Sequence, residues 1–311
     1  MVQNGFNRRL TLIFIAVAIL SGFSAVNAQV LEPRSYSNIP VEMNFLLAAY
    51  GYNHGGVLFD PSIPLENANI KIHGSALAYA RSLKMGKMLG KFDAIVPYAW
   101  LSGTAEFNGE PVSRVVSGLG DPSVRMSVNF LGAPALSLAE FKDYKQNFIL
   151  GASFQVFMPL GQYDPDRIVN IGTNRFTFKP ELGISKTVGP LFVDMAAAYS
   201  FYTVNNNFYN GKTRSQEPIG SVQGHVIYSF TKGMWAALDG TYYWGGSSTL
   251  DGVKGNDLQK NTRVGFTFVL PLNIHNSLKF NYSTGVSTRT GSDFDTFAVA
   301  WQYRWSKDLP K

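Results

Sequence analysis

The chain has 311 residues, of which 45% are hydrophobic, 14% aromatic and only 15% charged, with a formal net charge of +6. Soluble domains usually carry about 25% charged residues, so this composition is poor in charge. The aromatic content excludes a disordered chain. The lack of cysteine excludes thiolate metal sites, and the scattered basic residues do not predict nucleic-acid binding.

The N-terminal residues have the three parts of a secretory signal peptide. Arg8 and Arg9 precede an apolar run over residues 10–20, and Val26 and Ala28 occupy the −3 and −1 positions of a cleavage site. A membrane-anchoring helix is the alternative, but the run is shorter than the ~20 residues that span a bilayer. We therefore expect a cleaved signal peptide over residues 1–28 and a single transmembrane domain over residues 29–311.

Period-2 alternation recurs along the rest of the chain. In residues 175–184, for example, Arg175, Thr177 and Lys179 share one face while Phe176 and Phe178 share the other. Such a pattern predicts strands with one polar and one apolar face. About a dozen segments fit: 42–52, 71–83, 91–103, 118–131, 147–159, 175–187, 191–203, 217–230, 234–245, 259–271, 277–288 and 294–305.

The segment lengths and the connections favour a membrane barrel. Soluble strands usually have about five or six residues, whereas a tilted membrane-spanning strand needs ~9–11. Longer polar loops are predicted at 53–70, 104–117, 160–174, 204–216 and 246–258, and mostly short turns lie between them. A connection at 132–146 is longer, with a short helix predicted over residues 136–144. The fold class is thus an all-β, antiparallel outer-membrane β-barrel of about 12 strands with both termini at the periplasmic side. A soluble β-sandwich alternates in the same way and remains the alternative.

In a barrel the polar faces line the interior and the apolar faces meet lipid. Parity therefore assigns charged residues to the lumen, and aromatic residues at strand ends fit the membrane interface. The loop at 160–174 is rich in turn formers and is expected to fold inward and constrict the pore, with an ordered external loop held by its own hydrogen bonds as the alternative. The lumen-lining candidates are Asp121, Arg125, Arg175, Lys179, Glu181, Asp194, His225, Asp239, Arg263, Lys279 and Arg304. The constriction-loop candidates are Tyr163, Asp164, Asp166, Arg167 and Asn174, and the interface aromatics are Trp100, Trp244, Trp301, Tyr303 and Trp305. Each lumen charge has a purely structural alternative, as a member of an ion pair that fills the interior.

Several stretches resemble a known family. They are residues 57–66 (VLFDPSIPLE), 118–125 (GLGDPSVR), 159–165 (PLGQYDP), 170–183 (NIGTNRFTFKPELG) and 288–295 (TRTGSDFD). The chain resembles bacterial outer-membrane proteins labelled as transporters of the MetA-type phenol-degradation pathway, over almost all of its mature length. This resemblance implies an exported barrel, in the outer membrane of a Gram-negative bacterium, that passes small compounds, aromatic or hydrophobic ones included.

Motifs for catalysis are absent from the sequence. It has neither a Gly-x-Ser-x-Gly elbow nor a His-Glu-x-x-His motif, although His225 has lumen parity. We therefore expect a channel or transporter without catalytic residues, cofactor or metal. The alternatives are a structural or surface-binding barrel and, less favoured, a lipid-modifying barrel enzyme. The expected partners are outer-membrane lipids, a small-molecule solute and the barrel assembly machinery, but no nucleic acid.

Overall fold

A computed structural model describes residues 32–58, 65–107, 110–230 and 233–309. The predicted signal peptide, residues 1–28, lies outside these ranges. No helix in the described ranges is both long enough and apolar enough to cross a membrane.

The described chain is built almost entirely of strands. The first group comprises β1 (Asn44–Leu58), β2 (Leu65–Met85), β3 (Met88–Phe107), β4 (Glu110–Leu119), β5 (Ser123–Pro134), β6 (Phe148–Phe157), β7 (Thr177–Val188) and β8 (Leu191–Tyr202). The second comprises β9 (Asn205–Phe208), β10 (Lys212–Gln216), β11 (Ile219–Ser229), β12 (Trp235–Gly245), β13 (Ser248–Leu250), β14 (Val253–Lys254), β15 (Gln259–Pro271), β16 (Asn276–Ser287) and β17 (Gly291–Trp305).

The strands close into a ring in which all pairings are antiparallel. β1 pairs with β2 on one side and with β17 on the other, from Asn44 opposite Trp305 to Leu58 opposite Gly291. β4 and β5 together occupy one position beside β3. The wall therefore has the twelve strand positions predicted, and the barrel is confirmed. A separate small sheet of β9, β10, β13 and β14 lies in the connections after β8 and β12.

The two ends of the barrel differ. One end carries Asn44, Trp305 and the connections after β2, β5, β7, β11 and β15, and is called the terminal end below. The opposite end, called the loop end, carries the connections after β6, β8 and β12, including the small sheet. The predicted asymmetry between long and short connections is thus present, because the connection after β6 alone covers 158–176.

Three local predictions were wrong. Residues 104–117 do not form a loop, since β3 continues to Phe107 and β4 begins at Glu110 as a long hairpin. Strand structure likewise extends into the predicted loop 53–70, because β1 reaches Leu58 and β2 begins at Leu65. The helix predicted over residues 136–144 is only a 3-10 turn at Glu140–Lys142. Polar residues and turn formers favoured loops in both segments, but strand pairing extends through them, since Asn69 pairs with Thr104 and Phe107 pairs with Glu110.

Burial in this fold is inverted relative to a soluble domain. Along β8, Asp194, Ala196, Ala198 and Ser200 are buried, whereas the alternating Met195 is 49% exposed. The buried set is dominated by polar side chains, including Asn53, Asp93, Glu181, Asp194, His225, Asp239, Asn261, Arg263 and Thr267. The exposed set includes Leu77, Val96, Phe154, Leu182, Val226, Leu238, Val264, Phe266 and Phe297. Such an apolar belt is stable only where water is absent, which matches a barrel wall in lipid.

Candidate functional site: the barrel interior

The N-terminal segment, residues 32–43, lies inside the barrel at the terminal end. Tyr36, Ser37, Asn38 and Met43 are at least nine-tenths buried. The segment contacts opposite parts of the wall, because Lys91 of β3 donates to its backbone while Arg34 donates to Ser229 of β11. A twelve-stranded barrel is wider than the eight-stranded size that side chains fill on their own. The segment therefore occupies space that would otherwise be open.

Polar contacts attach the segment to the wall. Glu32 Oε2 accepts from Arg125 Nη1 at 2.6 Å, and Arg125 Nε also donates to Asp93 at 2.9 Å. The Lys91 ammonium donates to the carbonyls of Ser35 (2.7 Å) and Ser37 (2.9 Å). Both wall cations thus find an acceptor in the segment, which offsets the cost of burying the charges.

Arg34 and Tyr36 reach the other side of the interior. The Arg34 amide donates to Asp194 Oδ2 at 2.8 Å, and its guanidinium lies 4.4 Å from the centre of the Phe192 ring. The Tyr36 hydroxyl donates to Glu181 Oε1 at 2.9 Å. Burial and the nearby Glu181 raise the pKa of Tyr36, so it remains a neutral hydrogen-bond donor.

Two wall glycines make room for the Tyr36 ring. A Cβ atom at Gly183 would stand 2.0 Å from Tyr36 Cε2, and one at Gly151 would stand 2.7 Å from Tyr36 Cδ1. Tyr36 also packs with Leu89, Ala133, Ile149 and Ala196 in a small buried apolar cluster. The segment is therefore held by shape as well as by charge.

Burial and charge have opposing effects on Glu32. Burial raises its pKa, but the positive charges of Arg125, Lys279 and Lys179 outweigh that effect and hold the pKa at about 2. Glu32 is therefore ionised at any pH well above that value, and its ion pair with Arg125 persists through the physiological range.

Further polar groups bond to each other across the neighbouring strands. His225 Nδ1 lies 2.7 Å from Asp239 Oδ1, and Asp239 Oδ2 accepts from Thr267 Oγ1 at 2.7 Å. Lys179 and Glu181 form an ion pair at 3.5 Å. Arg263 donates to Ser283 and Thr296, both at 3.2 Å. These buried groups satisfy one another, as polar groups in a closed interior must.

The connection at 158–176, called the β6–β7 loop below, is organised by Asp121. Its Oδ1 accepts from the amide of Gly161 at 3.0 Å. Its Oδ2 accepts from the amide and the hydroxyl of Thr173, at 2.8 and 2.6 Å. Asp121 lies between β4 and β5 with Pro122, where the fourth wall position is interrupted. Within the described residues β4 has a strand partner only in β3. The β6–β7 loop contacts β4 instead, since the Gln162 amide donates to the Leu119 carbonyl at 2.7 Å.

The five predicted constriction residues all lie in this loop. Asp164, Asp166 and Arg167 bond within it, whereas Tyr163 and Asn174 bond to β9. The Tyr163 hydroxyl donates to the Asn207 carbonyl at 3.1 Å, and Asn174 Nδ2 donates to Asn205 Oδ1 at 3.0 Å. Asp164 lies 4.0 Å from Arg114 and 3.9 Å from Arg167. Its Oδ1 also accepts from the amide of Asp166, at 3.0 Å. That the loop narrows a pore stays a prediction.

A pocket of about 220 Å³ lies between this loop and the β2–β3–β4 part of the wall. Ile70, Leu101 and Val112 line it from the wall, and Ile168 lines it from the loop. Arg114 borders the same pocket and donates from Nε to the Val169 carbonyl at 3.2 Å. The volume is below the ~300–1,000 Å³ of pockets for drug-sized molecules, so only a smaller molecule fits.

The other predicted residues are distributed along the wall. Lys279 is half-buried on β16, and Arg304 is exposed at the terminal end, where its Nε donates to the Ile274 carbonyl at 2.7 Å. Trp301, Tyr303 and Trp305 form a continuous stack at that end, with centroid separations of 6.2 and 5.6 Å. Trp100 and Trp244 lie on β3 and β12, towards the loop end, in contact with Tyr98 and Tyr242. Their roles stay predictions.

Several central residues were not singled out from the sequence. Glu32, Arg34 and Tyr36 lie outside the predicted strands, so the alternation assigned them to neither face, and Asn205 lay in a predicted loop. Asn205 is 3% exposed and donates to Tyr163 and to the Thr173 carbonyl. A polar, turn-rich stretch close after the predicted signal-peptide cleavage site is the sign in the sequence that could have indicated an inserted segment. No cluster of three metal-ligating side chains occurs in the part of the chain that the structure describes.

Comparisons with known proteins agree with this architecture. A crystal structure of the COG4313 outer membrane channel from Pseudomonas putida F1 is similar with a TM-score of 0.74 at 17% identity, covering 89% of this chain and 100% of that one. The translocator domain of the autotransporter NalP from Neisseria meningitidis has a TM-score of 0.53 at 11% identity, covering 96% and 94%. The β domain of the Bordetella autotransporter BrkA has a TM-score of 0.51 at 11% identity, covering 84% and 99%.

At these identities the solved structures show a shared fold. No curated protein matches the sequence. A family model matches residues 62–303, which is most of the chain, under the description "Putative MetA-pathway of phenol degradation". The chain belongs to this phenol-degradation-related family of β-barrel proteins, as the resemblance of its sequence motifs predicted.

Proposed function

We propose that the protein is an outer-membrane channel for passive passage of small compounds, hydrophobic and aromatic ones among them. The observation that carries this proposal is the polar interior of a closed twelve-stranded barrel, occupied at one end by segment 32–43. Residues 32–40 are bonded to the wall through side chains and single backbone groups and add no strand to the ring, whereas backbone hydrogen bonds of Val41, Glu42 and Met43 anchor the end of the segment. Residues 32–40 can therefore leave without breaking the wall.

The path runs from the loop end to the terminal end. A solute enters beside the β6–β7 loop, where the pocket lined by Ile70, Leu101 and Val112 offers an apolar surface. It passes the polar wall and leaves at the terminal end when residues 32–40 move aside. The similar P. putida structure is itself described as an outer membrane channel, which supports the proposal.

The surroundings of the protein follow from the same proposal. The terminal end faces the periplasm and the loop end faces the exterior of a Gram-negative cell. Residues 1–28 direct export and are removed after Ala28. The barrel assembly machinery inserts the chain, and the exposed apolar belt then contacts outer-membrane lipids. No cofactor or metal is required.

Passage needs no covalent chemistry, and we assign His225 a structural role. Its Nδ1 is held by Asp239, and within the described residues no hydroxyl group donates to its other ring nitrogen. A Ser-His arrangement would need such a contact. A channel is thus favoured over a lipid-modifying enzyme, and over a purely structural barrel because residues 32–40 fill the interior without being part of the strand ring.

Planar-bilayer recording tests the proposal. Purified protein and a variant lacking residues 32–41 would be compared in KCl. We expect discrete conductance steps from both proteins, with larger and longer-lived openings for the shortened variant. Silence of both proteins, each shown to be a folded heat-modifiable barrel, would reject the channel. Equal conductance of the two would reject the segment as the barrier.

A further inference from the structure

Two arginines at the loop end, Arg175 and Arg214, form no ion pair with a carboxylate of the described residues, and Asp121 and Asp257 act on them only at longer range. Arg175 ends the β6–β7 loop and is 9% exposed. Its Nη2 donates to the Gln216 side chain, but its buried Nη1 has no hydrogen-bond partner in the described structure. Arg214 lies two residues before Gln216 on β10 and therefore projects from the same face of that strand. Gln216 thus brings the two guanidinium groups close together.

The nearest carboxylates are already engaged elsewhere. Asp121 accepts from Gly161 and Thr173, and Asp257 accepts from the amide and the hydroxyl of Ser248 at 2.7 and 2.6 Å. No carboxylate in the described ranges lies within 4.0 Å of the Arg175 or Arg214 guanidinium. Burial and the proximity of Arg214 lower the pKa of Arg175 to about 10, which still leaves both side chains charged at neutral pH.

Aromatic rings border the same pair. The Arg175 guanidinium lies 4.2 Å from the Tyr202 ring centre, and that of Arg214 lies 5.1 Å from the Phe208 ring centre. Tyr163 is also close enough to interact electrostatically with both arginines. Cation–π contacts stabilise the cations in part, but they leave the N–H groups at the edges of the guanidinium planes available to an acceptor.

We propose that Arg175 and Arg214 form a binding site for the carboxylate of a small organic acid, with Tyr202 and Phe208 contacting its apolar part. A carboxylate would supply the missing partner of Arg175 Nη1 and reduce the repulsion between the two cations. Planar carboxylates match the fork geometry of arginine better than spherical anions do. This inference rests on the proposed channel function and narrows its solutes to those carrying an acidic group.

The site lies beside the apolar pocket, since Tyr209 lines the pocket and its neighbour in the chain, Phe208, contacts Arg214. The pocket accepts an apolar group, and the arginine pair accepts the charge. A neutral molecule of equal size can use only the first of these two surfaces, so the pair gives preference to the acid.

The test is calorimetric titration of the detergent-purified full-length mature protein with benzoate and with benzyl alcohol, its neutral counterpart. We expect benzoate to bind more tightly than benzyl alcohol. Loss of one charge-assisted hydrogen-bond donor removes on the order of tenfold or more in affinity, so R175Q and R214Q should each weaken benzoate binding by that factor. Benzyl alcohol binding should be unchanged, and R214K should lie between R214Q and the native protein.

Arg289 supplies a matched control. It is exposed at the loop end, and R289Q removes the same charge away from the pair. If R175Q does not yield a heat-modifiable barrel, R214Q decides the test, because Arg214 lies in a hairpin outside the barrel ring. Equal affinity for benzoate and benzyl alcohol would overturn the site, as would benzoate binding that R214Q leaves intact or that R289Q weakens equally.

Bilayer recording separates this inference from the channel proposal. In a KCl gradient, the native channel should favour Cl⁻ more than R214Q does, with a measurable shift in reversal potential. If the protein conducts but R214Q changes neither its ion selectivity nor its affinity for benzoate, the site is overturned and the channel proposal is retained. If the barrel shows no conductance but binds benzoate through both arginines, the channel proposal is rejected and the site is retained.

Discussion

Glu32 and Arg125 join the N-terminal segment to the barrel wall through a 2.6 Å ion pair, although they lie 93 positions apart in the sequence. Arg125 also bonds Asp93 on the adjacent strand, so its guanidinium is held by the wall as well as by the segment. The pair couples the position of the segment to the charge state of a single carboxyl.

The first prediction concerns acid. The pKa of Glu32 is held near 2 when the segment is inside the barrel, against an ordinary value of 4.5. A carboxyl with a lowered pKa stabilises the inserted state fully above its ordinary value, and this contribution is lost as the pH falls towards the lowered value. We therefore expect channel opening to be insensitive to this group above pH 4.5 and to increase as the pH falls from there towards about 3.

Single-channel recording between about pH 7 and about pH 3 measures that change. E32Q removes the titrating group, so its open probability should already be raised at neutral pH and should respond less to acid. A native protein whose acid response is the same as that of E32Q would contradict the role of Glu32.

The second prediction uses the contact of Gly183 with the Tyr36 ring. A methyl group at position 183 would stand 2.0 Å from Tyr36 Cε2, so G183A must displace that ring. We expect larger or more frequent openings with little loss of barrel stability, because the clash is with the inserted segment. Tyr36→Ala should restore room, so that adding G183A to a protein already carrying Tyr36→Ala should have no further effect on the openings.

G240A is the matched control. Gly240 lies on β12, and an added Cβ atom there would have no neighbour within 4 Å. It should behave as the native protein does in bilayer recordings. Equal effects of G183A and G240A would mean that a general loss of strand flexibility, rather than the Tyr36 contact, is responsible.

The strand pattern and the inserted segment differ in how far they could be predicted. The alternation between the two faces of a strand is a local property, since successive side chains point to opposite sides of the sheet. The alternation of polar and apolar residues was therefore sufficient to assign Asp194 and His225 to the buried face of their strands. The docking of Tyr36 against Gly183 depends on a contact between residues far apart in sequence. The alternation of residues within a single strand carries no information about such a contact.

Hairpin ends were hard to predict for a related reason. Seven of the 14 residues in 104–117 are polar, and Gly109 and Pro111 lie among them, a composition expected of a loop. The structure nevertheless pairs Tyr98–Phe107 of β3 with Glu110–Leu119 of β4, and Leu101 on that hairpin is buried, so strand pairing rather than local polarity sets where the hairpin ends. Arg175 shows the opposite case: its parity suggested a wall residue, but the residue precedes β7, and its environment depends on Arg214 from a separate hairpin.

The third prediction concerns Asp121 and the β6–β7 loop. D121A removes the acceptor of three hydrogen bonds, from the amides of Gly161 and Thr173 and the hydroxyl of Thr173. Each buried donor left without a partner costs about 1–3 kcal/mol, so the loop should detach while the barrel ring persists. Limited proteolysis with mass spectrometry should show new cleavage within 158–176.

D143A is the control for that experiment. Asp143 is exposed in the connection between β5 and β6, and its side chain makes no hydrogen bond or ion pair in the described structure. It should leave the cleavage pattern unchanged. Protection of the β6–β7 loop in D121A would show that Asp121 does not hold it.

The last prediction compares two exposed apolar residues that differ in their surroundings. Leu238 lies near the middle of β12 and is 66% exposed, whereas Val253 lies in the β13–β14 hairpin and is 70% exposed. Arginine at a lipid-facing midplane position costs about 2–4 kcal/mol, and the cost falls to about 0–1 near the interface. L238R should therefore lower the free energy of unfolding in lipid vesicles by about 2–4 kcal/mol, and V253R should leave it nearly unchanged because water surrounds the hairpin. Urea titration of the refolded proteins in vesicles, followed by heat-modifiable gel migration, measures both values. Equal costs for the two variants would contradict the assignment of β12 to the membrane and the hairpin to water, because solvent exposure alone does not distinguish the two sites.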